Sequence, residues 1–201
     1  MEKFIFDKIK IAYSIIIFLM FLFLVSCSRA NNEDAKWDED TSTYVLDELH
    51  LKYTLPSNAE YWMIRGDMEA FKEIKFCGVD IKNNVCVSIL TPTVASSSEK
   101  KLTSEEIGRI INELIFGKED NHLQLDQVVI TKKTYLNNES WFFEALVPFE
   151  NNSMLVKYMG YLFDNNNILT SIMINTPNND IEHITPESLD SYFSALDVVK
   201  D

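Results

Sequence analysis

Four consecutive segments with a hydrophobic period of two constrain the fold of this chain most strongly. They span residues 128–136, 140–147, 154–163 and 168–175. Alternation of apolar and polar side chains is typical of β-strands. The connections are short and rich in residues that favour turns: Asn137-Asn138, Asn151-Asn152 and Asp164-Asn165-Asn166-Asn167. The sequence therefore predicts an antiparallel meander of four strands.

The second strand of this meander carries apolar side chains on both faces. Phe142 and Leu146 share one face, and the other face carries Trp141, Phe143, Ala145 and Val147. A strand that is apolar on both sides is buried on both sides. We therefore expect it to be a central strand.

Two helices are predicted outside the meander. The first spans residues 100–116, where Thr103 and Glu106 form a capping box. One of its faces carries Ile107, Ile110, Ile111, Leu114 and Ile115. The second begins at Thr185, with Pro186 at its first position. Its buried stripe is predicted to contain Leu189, Tyr192, Phe193 and Leu196.

Shorter elements precede the first helix. Strands are predicted over residues 49–55, 61–64 and 85–90. Residues 67–76 fit a short helix capped by Asp67 that buries Phe71 and Ile74. This order of elements predicts an α+β fold, an antiparallel sheet of about six strands with helices packed on it. We expect a single domain over residues 44–201.

The N-terminus has the anatomy of a signal peptide. Lys3, Lys8 and Lys10 outnumber the acidic residues of the first ten positions, and a mostly apolar run follows over residues 11–25. This run is shorter than the roughly 20 apolar residues of a spanning helix, although an uncleaved signal anchor is the alternative. Residues 27–43 are acidic and lack apolar periodicity, so they predict a flexible tether.

The end of the leader resembles the lipobox of bacterial lipoproteins, in the residues Leu24-Val25-Ser26-Cys27. The resemblance implies that residues 1–26 are a cleaved lipoprotein signal peptide and that Cys27 carries diacylglycerol and an acyl chain such as palmitate. Two or three acyl chains anchor a protein stably to a membrane. The implied location is the cell membrane or the outer membrane, with the domain facing the periplasm or the cell exterior. Ser28 favours the outer membrane, where one exists.

The remainder of the chain resembles the PsbP-like family, which includes DcrB-type bacterial lipoproteins. The resemblance rests on Leu55-Pro56 followed by Tyr61-Trp62, on the segments 87–92 and 135–141, and on an aromatic C-terminal helix. It covers residues 49–199. The family pattern implies a PsbP-like fold and a cofactor-free binding or assembly role rather than an enzyme.

Composition excludes several partners. The 201 residues carry a formal net charge of −13, which opposes binding to nucleic acid or to a bare anionic membrane. The five glycines form neither G-x-G-x-x-G nor G-x-x-x-x-G-K, so we expect no nucleotide site of those kinds. The expected partners are the membrane, through the lipid anchor, and an envelope protein.

Cys77 and Cys86 remain once Cys27 is assigned to the anchor. A two-residue turn at Asn83-Asn84 would place Cys77 opposite Leu90 and Cys86 opposite Ile81, so a bridge needs another register. The sequence leaves two alternatives open, a disulfide in an oxidising compartment or two small buried thiols.

No constellation typical of catalysis is evident in the sequence. His50, His122 and His183 are far apart and fit no metal-ligand spacing, so we expect no metal and no cofactor. Asp164 to Asn167 offers oxygen atoms, yet it lacks the glycine and distal glutamate of an EF-hand and fits a hairpin turn better. Trp37, Tyr61 and Trp62 are candidate partner-binding aromatics, although Trp62 fits a core position better.

The sequence thus favours a lipid-anchored cell-envelope lipoprotein with a non-catalytic binding or accessory role. Small size and acidity also suit an immunity lipoprotein that neutralises a basic toxin. A hydrolase with a dispersed active site is a third hypothesis.

Overall fold

The computed structural model describes residues 36–64, 73–92, 102–116, 128–149, 154–177 and 187–199. Its strands are β1 (Lys36–Asp38), β2 (Thr43–Leu46), β3 (Leu51–Thr54), β4 (Trp62–Ile64), β5 (Ile74–Asp80), β6 (Val85–Leu90), β7 (Val128–Tyr135), β8 (Asn138–Phe149), β9 (Met154–Asn165), β10 (Ile168–Pro177) and β11 (Leu196–Val198). The α-helices are α1 (Ser104–Phe116) and α2 (Asp190–Phe193), and 3₁₀ turns cover Asp47–Leu49, Ala59–Tyr61 and Glu187–Leu189.

The strands form two antiparallel sheets. The larger sheet has seven strands in the order β4-β5-β6-β10-β9-β8-β7, and the smaller has four in the order β1-β2-β3-β11. The described part of the chain is therefore mostly antiparallel β-sheet with two helices, and the expectation of a single sheet of about six strands was wrong. All four strands of the second sheet have only three or four residues. The second sheet was missed because β1, β2 and β11 are too short to show a period.

The predicted meander is confirmed as β7 to β10. Leu136 and Asn137 both have positive φ between β7 and β8, and so do Asn166 and Asn167 between β9 and β10. Two consecutive left-handed residues match the twist of the flanking strands in a tight hairpin, and asparagine tolerates this conformation. The second hairpin therefore turns on the asparagine pair Asn166-Asn167, and the first turns on Leu136-Asn137, one position before the predicted Asn137-Asn138.

The larger sheet is covered on both faces. On one face it packs against the smaller sheet and α2, burying Tyr53, Ile89 and Met159 in a shared core. On the other face it packs against α1, whose Ile107, Ile110 and Ile111 contact a second core that contains Phe143 and Leu162. The sheet thus separates two apolar cores.

The predicted capping box of α1 is confirmed, and the helix begins directly after Thr103, at Ser104 rather than at residue 100. The Thr103 hydroxyl accepts a hydrogen bond from the Glu106 backbone N–H at 3.2 Å, and the Glu106 carboxylate accepts one from the Thr103 N–H at 2.8 Å. These reciprocal bonds satisfy two backbone donors that a helix start leaves free.

The prediction of a flexible tether was wrong for residues 36–43. Lys36–Asp38 form β1 and pair with Thr43–Val45, and the Trp37 ring lies 4.6 Å from the Tyr44 ring. The folded region therefore begins before residue 44. Of the acidic residues that suggested a tether, Asp38 ends β1, and Glu39 and Asp40 lie in the β1–β2 turn. Asp38 accepts hydrogen bonds from the Asp40 N–H and the Thr41 hydroxyl.

The predicted C-terminal helix was too long. The helix α2 has four residues, and Leu196 lies in β11, which pairs with β3. The burial prediction was nevertheless confirmed for Leu189, Tyr192, Phe193 and Leu196. Thr185 and Pro186 lie outside the described residues, as do residues 67–72 of the other short helix. Ile74 from that helix belongs to β5.

Strand β8 is only partly central. It lies next to the edge strand β7, and its middle is covered on both sides, with Phe142 and Phe143 both buried. Leu146 is 41% exposed, so the covering does not reach its C-terminal part.

Gly160 allows close approach within the larger sheet. It pairs with Phe143 on β8 and with Met173 on β10. A methyl group on its Cα would lie 2.5 Å from the Ile172 carbonyl oxygen and 2.5 Å from the Phe143 ring. The Phe143 ring therefore occupies the space that any side chain at this position would fill.

We predict that Gly160→Ala lowers the free energy of unfolding by about 1–3 kcal/mol, because the added methyl group forces the ring and a backbone carbonyl to move. Urea unfolding measures this loss. Leu155→Ala on the same strand is the control, since that side chain is 39% exposed and its removal costs about 0.5 kcal/mol or less. Equal midpoints for Gly160→Ala and the unmutated protein would contradict the packing described for β8 and β9.

Candidate functional site

A buried carboxylate is the centre of the most extensive polar cluster in the described residues. Asp80 ends β5 and is fully buried. Its Oδ2 accepts hydrogen bonds from the Ser57 hydroxyl at 3.0 Å, the Asn83 side-chain amide at 2.8 Å and the Tyr192 hydroxyl at 3.0 Å. Its Oδ1 accepts one from the Asn83 backbone N–H at 3.2 Å. The Trp62 indole N–H donates to the Ser57 hydroxyl at 2.8 Å.

We call these five residues, Ser57, Trp62, Asp80, Asn83 and Tyr192, the Asp80 cluster. They come from the loop after β3, from β4, from β5 and its turn, and from α2. The cluster therefore joins segments of both sheets and the C-terminal helix. Both carboxylate oxygens are occupied by protein donors, so the geometry favours a structural role for Asp80 over a catalytic one.

The cluster shifts the protonation of its two acids in opposite directions. Burial acts to raise the pKa of the Asp80 carboxyl, but hydrogen bonds from Asn83, Tyr192 and Ser57 outweigh it and hold the pKa below the ordinary value of 3.8. Burial and the bond to Asp80 raise the pKa of Tyr192 to about 12. The Asp80 carboxylate therefore stabilises the fold fully above pH 3.8, and this contribution is lost as the pH falls through its lowered pKa.

Sequence reasoning missed the Asp80 cluster. The available signal was the period of two in β5, which places Asp80 on the same inward face as Phe76 and Gly78. A carboxylate at an inward position requires hydrogen-bond donors. The sequence could not indicate which donors, since Tyr192 lies 112 positions away.

An aromatic layer lies beside the cluster, between the two sheets. The Tyr53 ring lies 4.9 Å from Phe76 and 6.2 Å from Trp62, and Trp62 lies 6.1 Å from Tyr192. Trp62 is thus a core residue, as predicted. The Tyr53 hydroxyl is buried and has no hydrogen-bond partner. The pKa of Tyr53 is raised well above its ordinary value, and burial of the hydroxyl is the largest cause.

The structure brings Cys77 and Cys86 together on the face of the larger sheet opposite the Asp80 cluster. The β5–β6 turn comprises residues 81–84, so Cys77 pairs with Ser88 and Cys86 pairs with Val79. The two-residue turn considered from the sequence is therefore not the one formed. Both cysteines are free thiols. They share a hydrogen bond, and this bond together with burial raises the pKa of the Cys86 thiol well above its usual value.

The other residues singled out from the sequence are not brought together. Cys27, His122 and His183 lie outside the described residues. His50 is exposed and has a left-handed backbone conformation after the first 3₁₀ turn. The parts of the chain that the structure describes contain no group of three or more His, Cys, Asp or Glu residues able to hold a metal ion.

The Asp164–Asn167 segment forms a hairpin turn, as the sequence favoured. The Asp164 side chain accepts a hydrogen bond from the Asn167 N–H at 2.7 Å. Asn165 is buried, and its side-chain amide donates to the Leu49 carbonyl oxygen at 2.7 Å. This contact joins the larger sheet to the segment that precedes β3, so these oxygen and nitrogen atoms serve the fold.

The exposed aromatic and apolar side chains are spread over several elements. Tyr61 is 40% exposed, and the Lys82 ammonium lies 5.2 Å from its ring centre. Val129, Leu146 and Leu155 are exposed on the larger sheet near β7. Between them Lys157 forms an ion pair with Glu144 at 2.7 Å.

Comparison with known proteins adds a distant likeness. No family model and no curated protein matches the chain. A crystal structure from Bacteroides thetaiotaomicron VPI-5482 is similar over 79% of this chain, with 10% sequence identity and a TM-score of 0.43. The match covers 48% of that protein, so this chain spans about half its length.

Within the described ranges, no helix has the length and apolar character required to cross a membrane.

We predict that Tyr192→Phe lowers the free energy of unfolding by about 1.5–3 kcal/mol, because it removes a hydrogen bond to a buried carboxylate. Tyr53→Phe is the matched control, since it removes a hydroxyl that has no partner and keeps the ring. We expect Tyr53→Phe to leave stability unchanged or to raise it. Denaturant unfolding of both variants compares them, and equal losses would contradict the assigned role of the Asp80 cluster.

Proposed function

We propose that this chain is a lipid-anchored lipoprotein of the bacterial cell envelope whose domain is a non-catalytic binding or accessory module. The observation that carries the proposal is Leu24-Val25-Ser26-Cys27 at the end of a basic and then apolar leader. In this proposal Cys27 is the first residue of the mature protein and holds its lipid. The domain then faces the periplasm or the cell exterior.

The position of β1 supports a domain held close to the membrane. Eight residues lie between Cys27 and Lys36, the first residue of β1. Even fully extended, they reach about 26–29 Å. This is a short connection for a domain of this size, so the proposed anchor favours a partner within or next to the same membrane.

The use of the buried polar groups supports a binding role over catalysis. Asp80 bonds to Ser57, Asn83 and Tyr192, and Asn165 bonds to a backbone carbonyl of the segment before β3. Catalytic acids and bases need an open position for a substrate. The polar atoms of these two residues are instead committed to holding the fold together.

The PsbP-like label belongs to this proposal. It is supported by the order of elements, in which α1 precedes a four-stranded meander and the aromatic helix α2 follows it. The family resemblance favours cofactor-free binding.

Acidity favours a second candidate, an immunity lipoprotein that neutralises a basic toxin. The net charge is −13, and Asp38, Glu39 and Asp40 are exposed together in the β1–β2 turn. Surfaces of opposite charge speed association and select partners. An immunity protein requires a toxin gene beside its own, and its deletion harms the cell only when that toxin is present.

We predict that Cys27→Ala moves the protein from the membrane to the soluble fraction, because the variant has no thiol for lipid attachment. Ser28→Ala is the control, since it changes the neighbouring residue and keeps Cys27. Detergent phase partitioning followed by immunoblotting measures both. Retention of Cys27→Ala in the detergent phase would contradict lipid anchoring and would favour an uncleaved signal anchor.

We also predict that the natively lipidated protein, captured from detergent-solubilised membranes, retains an envelope protein in fixed stoichiometry. The Cys27→Ala form is the control and should retain less, because the lipid keeps the domain beside its partner. Mass spectrometry identifies the partner. Capture of a toxin would select the immunity function, and substrate turnover in a broad hydrolase screen would contradict the non-catalytic role.

A further inference from the structure

We propose that Cys77 and Cys86 are a disulfide-forming pair that is oxidised across the β5–β6 hairpin by thiol–disulfide exchange. The oxidant belongs to the class of protein or small-molecule disulfides. The inference rests on the proposed function only for the compartment, since export would place the pair where such oxidants persist. The placement of the two thiols rests on the structure.

The register of β5 and β6 places both thiols on one face of the sheet. Cys77 pairs with Ser88, and Cys86 pairs with Val79, so the cysteines are diagonal neighbours on adjacent antiparallel strands. Residues two apart on a strand share a face. The thiols already share a hydrogen bond. Bond formation draws the two sulfur atoms from this contact to about 2.05 Å.

The backbone next to Cys77 is irregular. The register of β5 against β6 shifts between Ile74 and Phe76. Such a shift locally bends a strand and increases its twist. A diagonal bridge requires the backbone near Cys77 to move. This part of β5 lies beside the register shift, where the pairing is already irregular.

The surroundings leave one thiol accessible and hold both in place. Cys77 is buried, and its sulfur accepts a hydrogen bond from the Ser88 hydroxyl at 3.8 Å. Cys86 is partly exposed and also interacts with the side chains of Ser88 and Asn175. Cys86 is therefore the thiol that meets an incoming disulfide, although its raised pKa keeps the thiolate scarce and the exchange slow near neutral pH. Cys77 is the thiol that resolves the intermediate.

The reaction balances as two successive exchanges. The Cys86 thiol loses its proton and attacks the oxidant, whose S–S bond breaks as a mixed disulfide forms on Cys86. The first half of the oxidant leaves and takes a proton as a thiol. The Cys77 sulfur then loses its proton and attacks the Cys86 sulfur, which releases the second half as a thiol. Two electrons pass from the cysteine pair to the oxidant.

The closed bridge would span the hairpin that carries part of the Asp80 cluster, on the opposite face of the sheet. Asp80 and Asn83 both lie within the ten-residue segment that runs from Cys77 to Cys86. A cross-link restricts the conformations that this segment can adopt in the unfolded chain. We therefore expect oxidation to stabilise the hairpin that presents Asp80 to Tyr192 and Ser57.

The test uses the full chain expressed with its leader. The protein is denatured without reductant, alkylated with iodoacetamide and weighed intact, and peptide mapping locates each adduct. Purified protein is also incubated with glutathione disulfide before alkylation. We expect no adduct on Cys77 or Cys86 after oxidation in the cell or by glutathione disulfide, and an adduct on each after reduction. The control Cys77→Ala should be alkylated at Cys86 without reduction.

Thermal unfolding gives an independent readout. Reduction should lower the Tm by about 5–10 °C. The double variant Cys77→Ala, Cys86→Ala should show no change with reductant, because it has no bridge to lose.

The outcomes separate this inference from the proposed function. An adduct on Cys27 would show that it carries no lipid and would contradict the proposed function, while Cys77 and Cys86 are read in the same spectrum. The disulfide proposal is overturned if both thiols are alkylated even after treatment with glutathione disulfide. A disulfide-linked dimer in place of the internal bridge would overturn it as well.

Discussion

The buried carboxylate of Asp80 is the interaction on which the described architecture depends. Without donors, a charge at this position would be too costly to bury. Ser57, Asn83 and Tyr192 supply those donors from three separate segments. The carboxylate thus fixes the loop after β3 and the helix α2 against the end of β5. Because Tyr192 is one of the donors, the stability of both sheets depends on where the C-terminal segment is held.

Apolar packing surrounds this polar cluster and gives the fold its layers. Tyr53, Phe76 and Trp62 fill the space between the sheets, and the isoleucines of α1 cover the opposite face of the larger sheet. The interior also contains a buried hydroxyl, that of Tyr53, which has no hydrogen-bond partner and therefore adds no hydrogen-bond energy to the fold. Tyr53 contributes to stability through its ring alone, whereas Tyr192 contributes through its ring and a hydrogen bond to Asp80. Comparing the two tyrosines therefore separates these contributions within one core.

The anchor and the domain contribute to the proposed function in different ways. In that proposal, the lipobox-like residues 24–27 would set where the chain is held, and the position of β1 would set how close the domain lies to the membrane. Within the domain, the buried side chains of Asp80 and Asn165 form hydrogen bonds that hold the fold together. The proposed disulfide between Cys77 and Cys86 would close the same hairpin that carries Asp80. Export to an oxidising compartment would then increase the stability of this hairpin.

The sequence by itself determined the elements whose causes are local. The capping box of α1 and the turn at Asp164–Asn167 depend on residues within a few positions of one another, and both were predicted correctly, while the turn between β7 and β8 lies one position before the predicted one. Tertiary structure alone decided β1 and β11, because a strand of three residues exists only through its partner. It also decided the cysteine register: Asn83 donates to Asp80 and belongs to a four-residue turn, which changes the pairing of Cys77 and Cys86. The partners of Asp80 were undetermined for the same reason, since a buried charge selects donors by proximity in space, and the chain brings Tyr192 there only after it has folded.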